Sequence, residues 1–354
     1  MVNTKILAFA TQGAGGNDET RLKDLLSGFT VKLFAFKKSN KLKMFFEILK
    51  LQKTRDYDLF VMEGTGLAGG LSLIVGYWLY GTKYCFSSGD AIGPFLAMKL
   101  PIMKAFFNIY ERLLCKNSSG FIGWSPYFVG RAITLGARRG ITAAGWNPHS
   151  AKSITPLREK LGLENKIVIG IIGSINWNPK TSYCYGKELV EAAAKINRAD
   201  VSFLIVGDGS GRKYLERIVE EKNIKGVIFT GFVEREKIGD YLALIDVGSL
   251  PQSIDEVGLL RYTTKISEYL GFSVPFFSSQ TPLSYDFGSS FIWRVKGRAP
   301  WLSEYTDSLS LLIDNLSDDE IKIKKENAGK AIQSFSKEDQ IQRMDEFIHD
   351  VLSE

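Results

Sequence analysis

Lys265 and Glu268 lie three residues apart in the run Thr263-Thr264-Lys265-Ile266-Ser267-Glu268-Tyr269-Leu270-Gly271. That spacing sets a cation and a carboxylate on one helical face, either as a surface ion pair contributing about 0.2–0.5 kcal/mol or as charges presented to a ligand. Ile266, Tyr269 and Leu270 form the apolar stripe of the same helix, Gly271 suits a left-handed stop, and Val274 to Phe277 reads as the strand that follows. Asp90 is a second candidate. It follows Ser88-Gly89 at the end of the strand-like run from Lys83 to Ser87, where it either caps a turn or stands as a general base at the carboxyl edge of a sheet. The third is the loop Thr11-Gln12-Gly13-Ala14-Gly15-Gly16-Asn17-Asp18, between a strand from Ile6 to Ala10 and a helix from Arg21 to Leu26. Gly15 and Gly16 allow backbone amides to approach an anion at a helix N-terminus, and the loop reads equally well as a tight connection.

The elements that must position these residues alternate along the chain. Strands are expected over Val31 to Phe36, Asp58 to Met62, Lys83 to Ser87, Phe121 to Ser125 and Ile141 to Ala144, with a basic amphipathic helix from Lys41 to Leu51. Strand, helix, strand with short links predicts an α/β fold with doubly wound parallel sheets. Leu71 to Tyr80 is apolar but falls well short of the ~20 residues that span a bilayer, so it reads as a buried helix. Gly145-Trp146-Asn147-Pro148-His149-Ser150 breaks the pattern and reads as a linker.

The alternation then restarts with a helix from Pro156 to Leu161 and a central strand from Lys166 to Gly173. Further strands are expected at Val201 to Val206, Val247 to Leu250 and Phe291 to Val295, with Val227 to Val233 as a strand and loop and Pro282 to Phe287 as a loop. Helices are expected at Lys187 to Ile196, Arg212 to Glu221, Ile238 to Leu242, Ser308 to Leu316, Asp319 to Phe335 and Lys337 to Leu352. The domains are expected at 1–148 and 149–335, with a C-terminal helix, 336–354, returning to the first. A chain of 354 residues, 45% hydrophobic, suffices for two cores.

A formal charge of +6 suits anionic partners. Nucleic acid is not among those expected, because the basic residues are scattered and no nucleic-acid module is present. Three separated cysteines, Cys85, Cys115 and Cys184, and two histidines, His149 and His349, give no zinc-ligand spacing. The N-terminal run lacks the long apolar core of a signal peptide, which points to a cytoplasmic chain. Phe95 to Lys116 combines large apolar residues with Lys99, Lys104, Arg112 and Lys116 against one acid, Glu111. Core helix is the favoured reading, and an anionic membrane surface met by a peripheral protein is the other.

Thr263 to Ser279 resembles the donor-site helix, turn and strand of GT-B glycosyltransferases, in particular the retaining, nucleotide-sugar-dependent group 1 (family 4-like) enzymes. The resemblance implies two Rossmann-like domains facing a central cleft, the first holding the acceptor and the second the donor. It implies that Glu268 accepts hydrogen bonds from the donor ribose, with Thr264 and Lys265 near the diphosphate or sugar, and that Gly15 and Gly16 face the diphosphate. Val206 to Gly211 is similar to a donor-domain phrase that brings Gly209 near the nucleotide, and Thr230 to Val233 to one in which Phe232 and Val233 flank the base. Lys180 matches a diphosphate-gripping lysine, whereas Ser174 stands where the family carries arginine, and Arg261 is the cation that replaces it. Leu260 occupies the place of the first glutamate of the family's pair, leaving Glu256, with Asp255 beside it, as the nearest carboxylate. Asp90 and Glu256 are the catalytic candidates.

The implied activity is transfer of a sugar from a UDP- or GDP-linked donor to a glycan or lipid-linked acceptor in polysaccharide biosynthesis, a hexosyltransferase reaction with no metal and no further cofactor. A catalytically silent nucleotide-sugar-binding subunit and a nucleotide-sugar epimerase of the same shape are the alternatives. A dinucleotide-dependent dehydrogenase lacks its GxGxxG after the first strand.

Overall fold

The apolar, β-branched and aromatic runs pair into parallel strands, and the stretches between them become helices on the sheet faces. A computed structural model describes residues 4–151 and 155–353. The chain divides into two compact units, 1–145 with 260–263 and 335–354, and 146–259 with 264–334. The four residues Leu260–Thr263 therefore belong to the first unit although both of their flanks belong to the second.

In the first unit the order is β1 (Lys5–Ala10), α1 (Asn17–Leu25), β2 (Thr30–Leu33), α2 (Lys41–Thr54), β3 (Leu59–Glu63), α3 (Leu67–Tyr80) and β4 (Tyr84–Ser88). It continues with α4 (Ile92–Lys99), α5 (Lys104–Asn117), β5 (Gly120–Gly123), α6 (Pro126–Thr134) and β6 (Gly140–Thr142). The strands form a six-stranded sheet in the order β2-β1-β3-β4-β5-β6. Connections run in opposite directions from β1, so the crevice between the carboxyl ends of β1 and β3 is a topological switch point, where open α/β sheets bind ligands. β1, β3, β4 and β5 are buried, while the edge strand β2 alternates exposed and half-buried. β2 stops at Leu33, short of the expected Phe36. Phe34 and Phe36 turn onto Phe9 instead, with ring centroids 6.2 and 6.0 Å away.

The second unit carries α7 (Thr155–Lys160), β7 (Ile167–Ile172), α8 (Lys187–Ala193), β8 (Val201–Val206), α9 (Arg212–Glu221), β9 (Val227–Gly231), α10 (Ile238–Leu242) and β10 (Val247–Leu250). It ends with α11 (Thr264–Gly271), β11 (Phe276–Ser279), α12 (Pro282–Asp286), β12 (Ile292–Val295), α13 (Ser303–Asp314) and α14 (Asp318–Ala331). The sheet order is β12-β11-β10-β7-β8-β9, the strand order of a dinucleotide-type doubly wound sheet, with its switch point between β7 and β10. β7 is interior, as its unbroken Ile-Val-Ile run predicts. The segment expected as a loop after β11 is the short helix α12, with Pro282 in its first turn, where the missing N–H costs nothing.

The last helix, α15 (Lys337–Ser353), belongs to the first unit. Lys337 pairs with Asp24 of α1 at 2.7 Å, and Gln340 exchanges two hydrogen bonds with the backbone of Gly145, both 2.9 Å. Among the described residues no helix is long and apolar enough to cross a membrane.

Candidate functional site

The site in the second unit is built on the place where β7 and β10 separate. These strands pair only through Val247 with Ile169 and Gly248 with Gly170. Tyr269 of α11 fills the fork beyond, its buried hydroxyl donating to the carbonyls of Gly170 (3.2 Å) and Ser249 (3.1 Å). A side chain at 248 is excluded, because a Cβ there would lie 2.7 Å from the tyrosine ring. The end of α11 is fixed by a Schellman turn: Val274 N–H donates to Tyr269 O and Ser273 N–H to Leu270 O. The left-handed residue is Ser273 (φ 57°), not Gly271. Gly271 is the last helical residue, and its missing side chain makes room for Asn147.

One turn before Tyr269, Lys265 reaches the carboxyl end of β7. A Cβ built on Gly173 would lie 3.1 Å from its Nζ, and the ammonium stands 4.9 Å from the centre of the Tyr185 ring. Among the described residues Lys265 has no carboxylate partner. It is a half-buried cation at the switch point, and of the two readings of the Lys265 and Glu268 spacing the surface ion pair is not formed. Glu268 is half-buried and faces His149, a linker residue that sequence reasoning left out of the site. Burial holds the His149 imidazole below its ordinary pKa, the Glu268 charge opposing and Arg235 adding to the shift.

Glu188 of α8 completes the support. Fully buried, its carboxylate accepts from the Tyr183 hydroxyl (2.8 Å), Gly186 N–H (3.1 Å) and the Ser249 hydroxyl (3.0 Å). These bonds tie the loop after β7 to β10, so both sides of the switch point share one anchor. Burial pushes the carboxyl up, and the hydrogen bonds oppose it. The signal in the sequence was a lone acid in the first turn after a glycine, which any exposed helix start can also show.

The remaining donor candidates occupy this edge unevenly. Gly209 (φ +156°) is pressed against the backbone of Ile175, joining the loops after β7 and β8. Lys180 is exposed in the turn bridged by Asn178 and Tyr183, and Ser174 is exposed as well. Phe232 is 79% exposed and Val233 half-buried beyond β9, and Thr264 opens α11 in solvent. Asp255 accepts from the amides of Val257 (2.9 Å) and Gly258 (2.8 Å), while Glu256 lies exposed beside it.

In the first unit the switch point holds a buried ion pair that the sequence did not disclose. Arg21 of α1 donates to Glu63 at the end of β3 (2.6 Å), to the Ser87 hydroxyl (3.3 Å) and to Ala143 O. Trp124 donates its indole N–H to the other Glu63 oxygen (3.2 Å) and lies 4.4 Å beneath the guanidinium. Burial pushes the Glu63 carboxyl up, with Arg21 pulling against it. Gly15 N–H is taken by Glu19 of its own helix (2.6 Å), and Gly16 is the N-cap of α1. Asp90 accepts from Arg261 through Oδ1, and no partner reaches its Oδ2 among the described residues. Cys85 and Cys184 are thiols pushed up to about 12 by burial, inert in place.

Residues 166–286 match the model of the glycosyl transferases group 1 family. This segment is similar to the group 1 glycosyl transferases, and the fold is GT-B. The match contains β7 through α12, and so every element that carries Lys265, Glu188 and Glu268. The chain is 31% identical over 107 residues to alpha-D-kanosaminyltransferase of Streptomyces kanamyceticus, a match covering 29% of this chain and 26% of that protein. It thus spans about a quarter of the length of this curated relative. Among solved structures, Anabaena Alr3699/HepE in complex with UDP and glucose superposes with a TM-score of 0.72 at 18% identity, covering 98% of this chain and 100% of that one. Sucrose-phosphate synthase from Thermosynechococcus elongatus gives 0.74 at 13% identity, covering 99% of each. These two likenesses carry the GT-B fold over the whole chain.

Proposed function

We propose that the chain is a glycosyltransferase that moves a sugar from a nucleoside diphosphate donor to a glycan or lipid-linked acceptor in polysaccharide biosynthesis. The observation that carries the reading is Lys265, a half-buried cation without a carboxylate partner among the described residues, aimed at the carboxyl end of β7 at the switch point. A diphosphate there meets Lys265 and the N-terminus of α11, which together offset the charge that develops as the nucleotide leaves. Glu268 accepts from the ribose hydroxyls, Phe232 and Val233 flank the base, and Lys180, Gly209 and Thr264 lie along the diphosphate. The UDP held in the HepE structure supports a uridine nucleotide.

The acceptor belongs to the first domain. Asp90 orients its hydroxyl through Oδ2 while Arg261 holds Oδ1. The hydroxyl oxygen bonds to the anomeric carbon, the bond from that carbon to the diphosphate breaks, and the proton goes either to Asp90 or to a departing phosphate oxygen. The enzyme is read as cytoplasmic, working at the inner face of a membrane when its acceptor is lipid-linked.

A second reading, donor binding without transfer, is favoured by the engagement of Asp255 with the amides of Val257 and Gly258 and of Arg261 with Asp90. Thermal unfolding with UDP, GDP, CMP, ADP and NAD, followed by transfer assays with the stabilising nucleotide's sugars, separates the two. Stabilisation by UDP or GDP that Glu268→Ala abolishes supports the donor site. Stabilisation without transfer to any acceptor favours the silent subunit, and stabilisation by NAD alone overturns both.

A further inference from the structure

The basic apolar stretch of the first unit is core at its two ends and surface in between. Ala97, Phe107, Tyr110, Leu114 and Cys115 are buried, yet Met98 to Phe106 are nine consecutive exposed residues. The cause is local. Leu100 leaves helical geometry (φ −139°, ψ 79°) and Pro101 ends α4, so the chain makes a single 3-10 turn, Pro101–Met103, before α5 begins. That turn projects Leu100, Ile102 and Phe106 into solvent at 50, 89 and 43% exposure, with Met98 and Ile109 beside them at 47 and 58%. Singly exposed apolar residues are ordinary, but a contiguous knuckle of this size marks a surface that something covers.

Charge selects the occupant. Lys99, Lys104 and Arg112 are exposed around the knuckle. The one acid between Ile92 and Asn117, Glu111, is buried and held by Arg131 at 2.6 Å and by the amides of Ile92 and Gly93. A second copy of the chain docking by this face would set lysines against lysines. Phosphate-bearing lipid headgroups satisfy the cations and the acyl chains beneath them take the apolar side chains, which is the chemistry of an interfacial anchor.

We propose that the Met98–Ile109 knuckle docks on an anionic lipid bilayer, inserting Leu100, Ile102 and Phe106 below the headgroups with Lys99, Lys104 and Arg112 at phosphate level. α4 leads directly from Asp90 to this knuckle, and an eight-residue helix is ~12 Å long. A lipid-linked acceptor is therefore presented within about one short helix length of the residue read as orienting its hydroxyl. That purpose rests on the transferase reading, whereas the lipid contact stands apart from it.

The test is flotation of the full chain with phosphatidylcholine vesicles, with and without phosphatidylglycerol, alongside light scattering and the nucleotide thermal shift. Native protein should bind the phosphatidylglycerol vesicles preferentially. Ile102→Glu with Phe106→Glu should lose roughly ten-fold or more in affinity, Lys99→Glu with Lys104→Glu should abolish the anionic preference, and the nucleotide shift should be kept in both. Equal binding by native and variant chains, or no anionic preference in the native chain, overturns the proposal. A native dimer that Ile102→Glu converts to monomer also overturns it, in favour of self-association. Lipid binding without any nucleotide shift leaves the anchor standing and removes only the transferase reading.

Discussion

Arg261 Nε lies 2.9 Å from Asp90 Oδ1, and the guanidinium Nη2 meets the same oxygen, joining residues 171 positions apart in sequence. One oxygen of the carboxylate is thereby spent on a cation while the other has no partner among the described residues. An aspartate held this way is suited to orient a hydroxyl. Asp90→Asn should keep the UDP or GDP thermal shift and lower kcat about ten-fold if orientation is its role, against roughly a hundred-fold or more for a general base. Unchanged turnover would remove Asp90 from the reaction.

Lys265 carries a different expectation because no ion pair holds it. Lys265→Met should leave the unliganded protein as stable as the native one and weaken nucleoside diphosphate binding by about ten- to a hundred-fold, the scale of a charge-assisted hydrogen bond lost from a partly buried site. Binding of the matching nucleoside, which has no phosphates, should be unaffected. Isothermal titration with the two ligands checks both arms, and an equal loss for both would place Lys265 away from the diphosphate.

Much of this architecture was legible beforehand. Unbroken runs such as Ile167 to Ile172 have no polar face to leave in water, so buried parallel strands followed from periodicity alone. Ile266, Tyr269 and Leu270 located α11 by the same logic. Less legible were features that arise only when distant residues converge. Nothing local marks Arg21 as the partner of Glu63, 42 positions away, or Glu188 as a buried acid bonded to Ser249, 61 positions away. Gly271 and Ser273 show the same limit at short range. Glycine favours the left-handed turn, but packing against Asn147 used the glycine two positions earlier and left serine to adopt φ 57°.

The Arg21–Glu63 pair predicts a stability effect that is separable from binding. Both groups are nearly excluded from water, at 7 and 2% exposure, so removing one leaves the other charge buried without compensation. Arg21→Met or Glu63→Gln alone should cost about 3–5 kcal/mol in urea unfolding, and the double variant should cost clearly less than the sum. Additive losses would mean that the two charges do not compensate each other.

His149 contributes to the pH response of the second unit. Burial depresses its pKa in the folded chain below the ordinary 6.5, outweighing the opposing Glu268 charge. Between the unfolded and folded values the unfolded chain binds the extra proton, so the neutral imidazole's contribution is fully present above pH ~6.5 and is lost as pH falls toward the lower folded value. His149→Gln should flatten the decline of stability from pH ~6.5 downward and change little above it. Glu268→Ala, by removing a carboxylate that favours the protonated ring, should lower the folded value further, so that the decline still begins near pH ~6.5 but deepens and extends to lower pH. Denaturant unfolding of the three proteins across this range tests the sign, and a His149→Gln curve parallel to the native one would show that the imidazole titrates equally in both states.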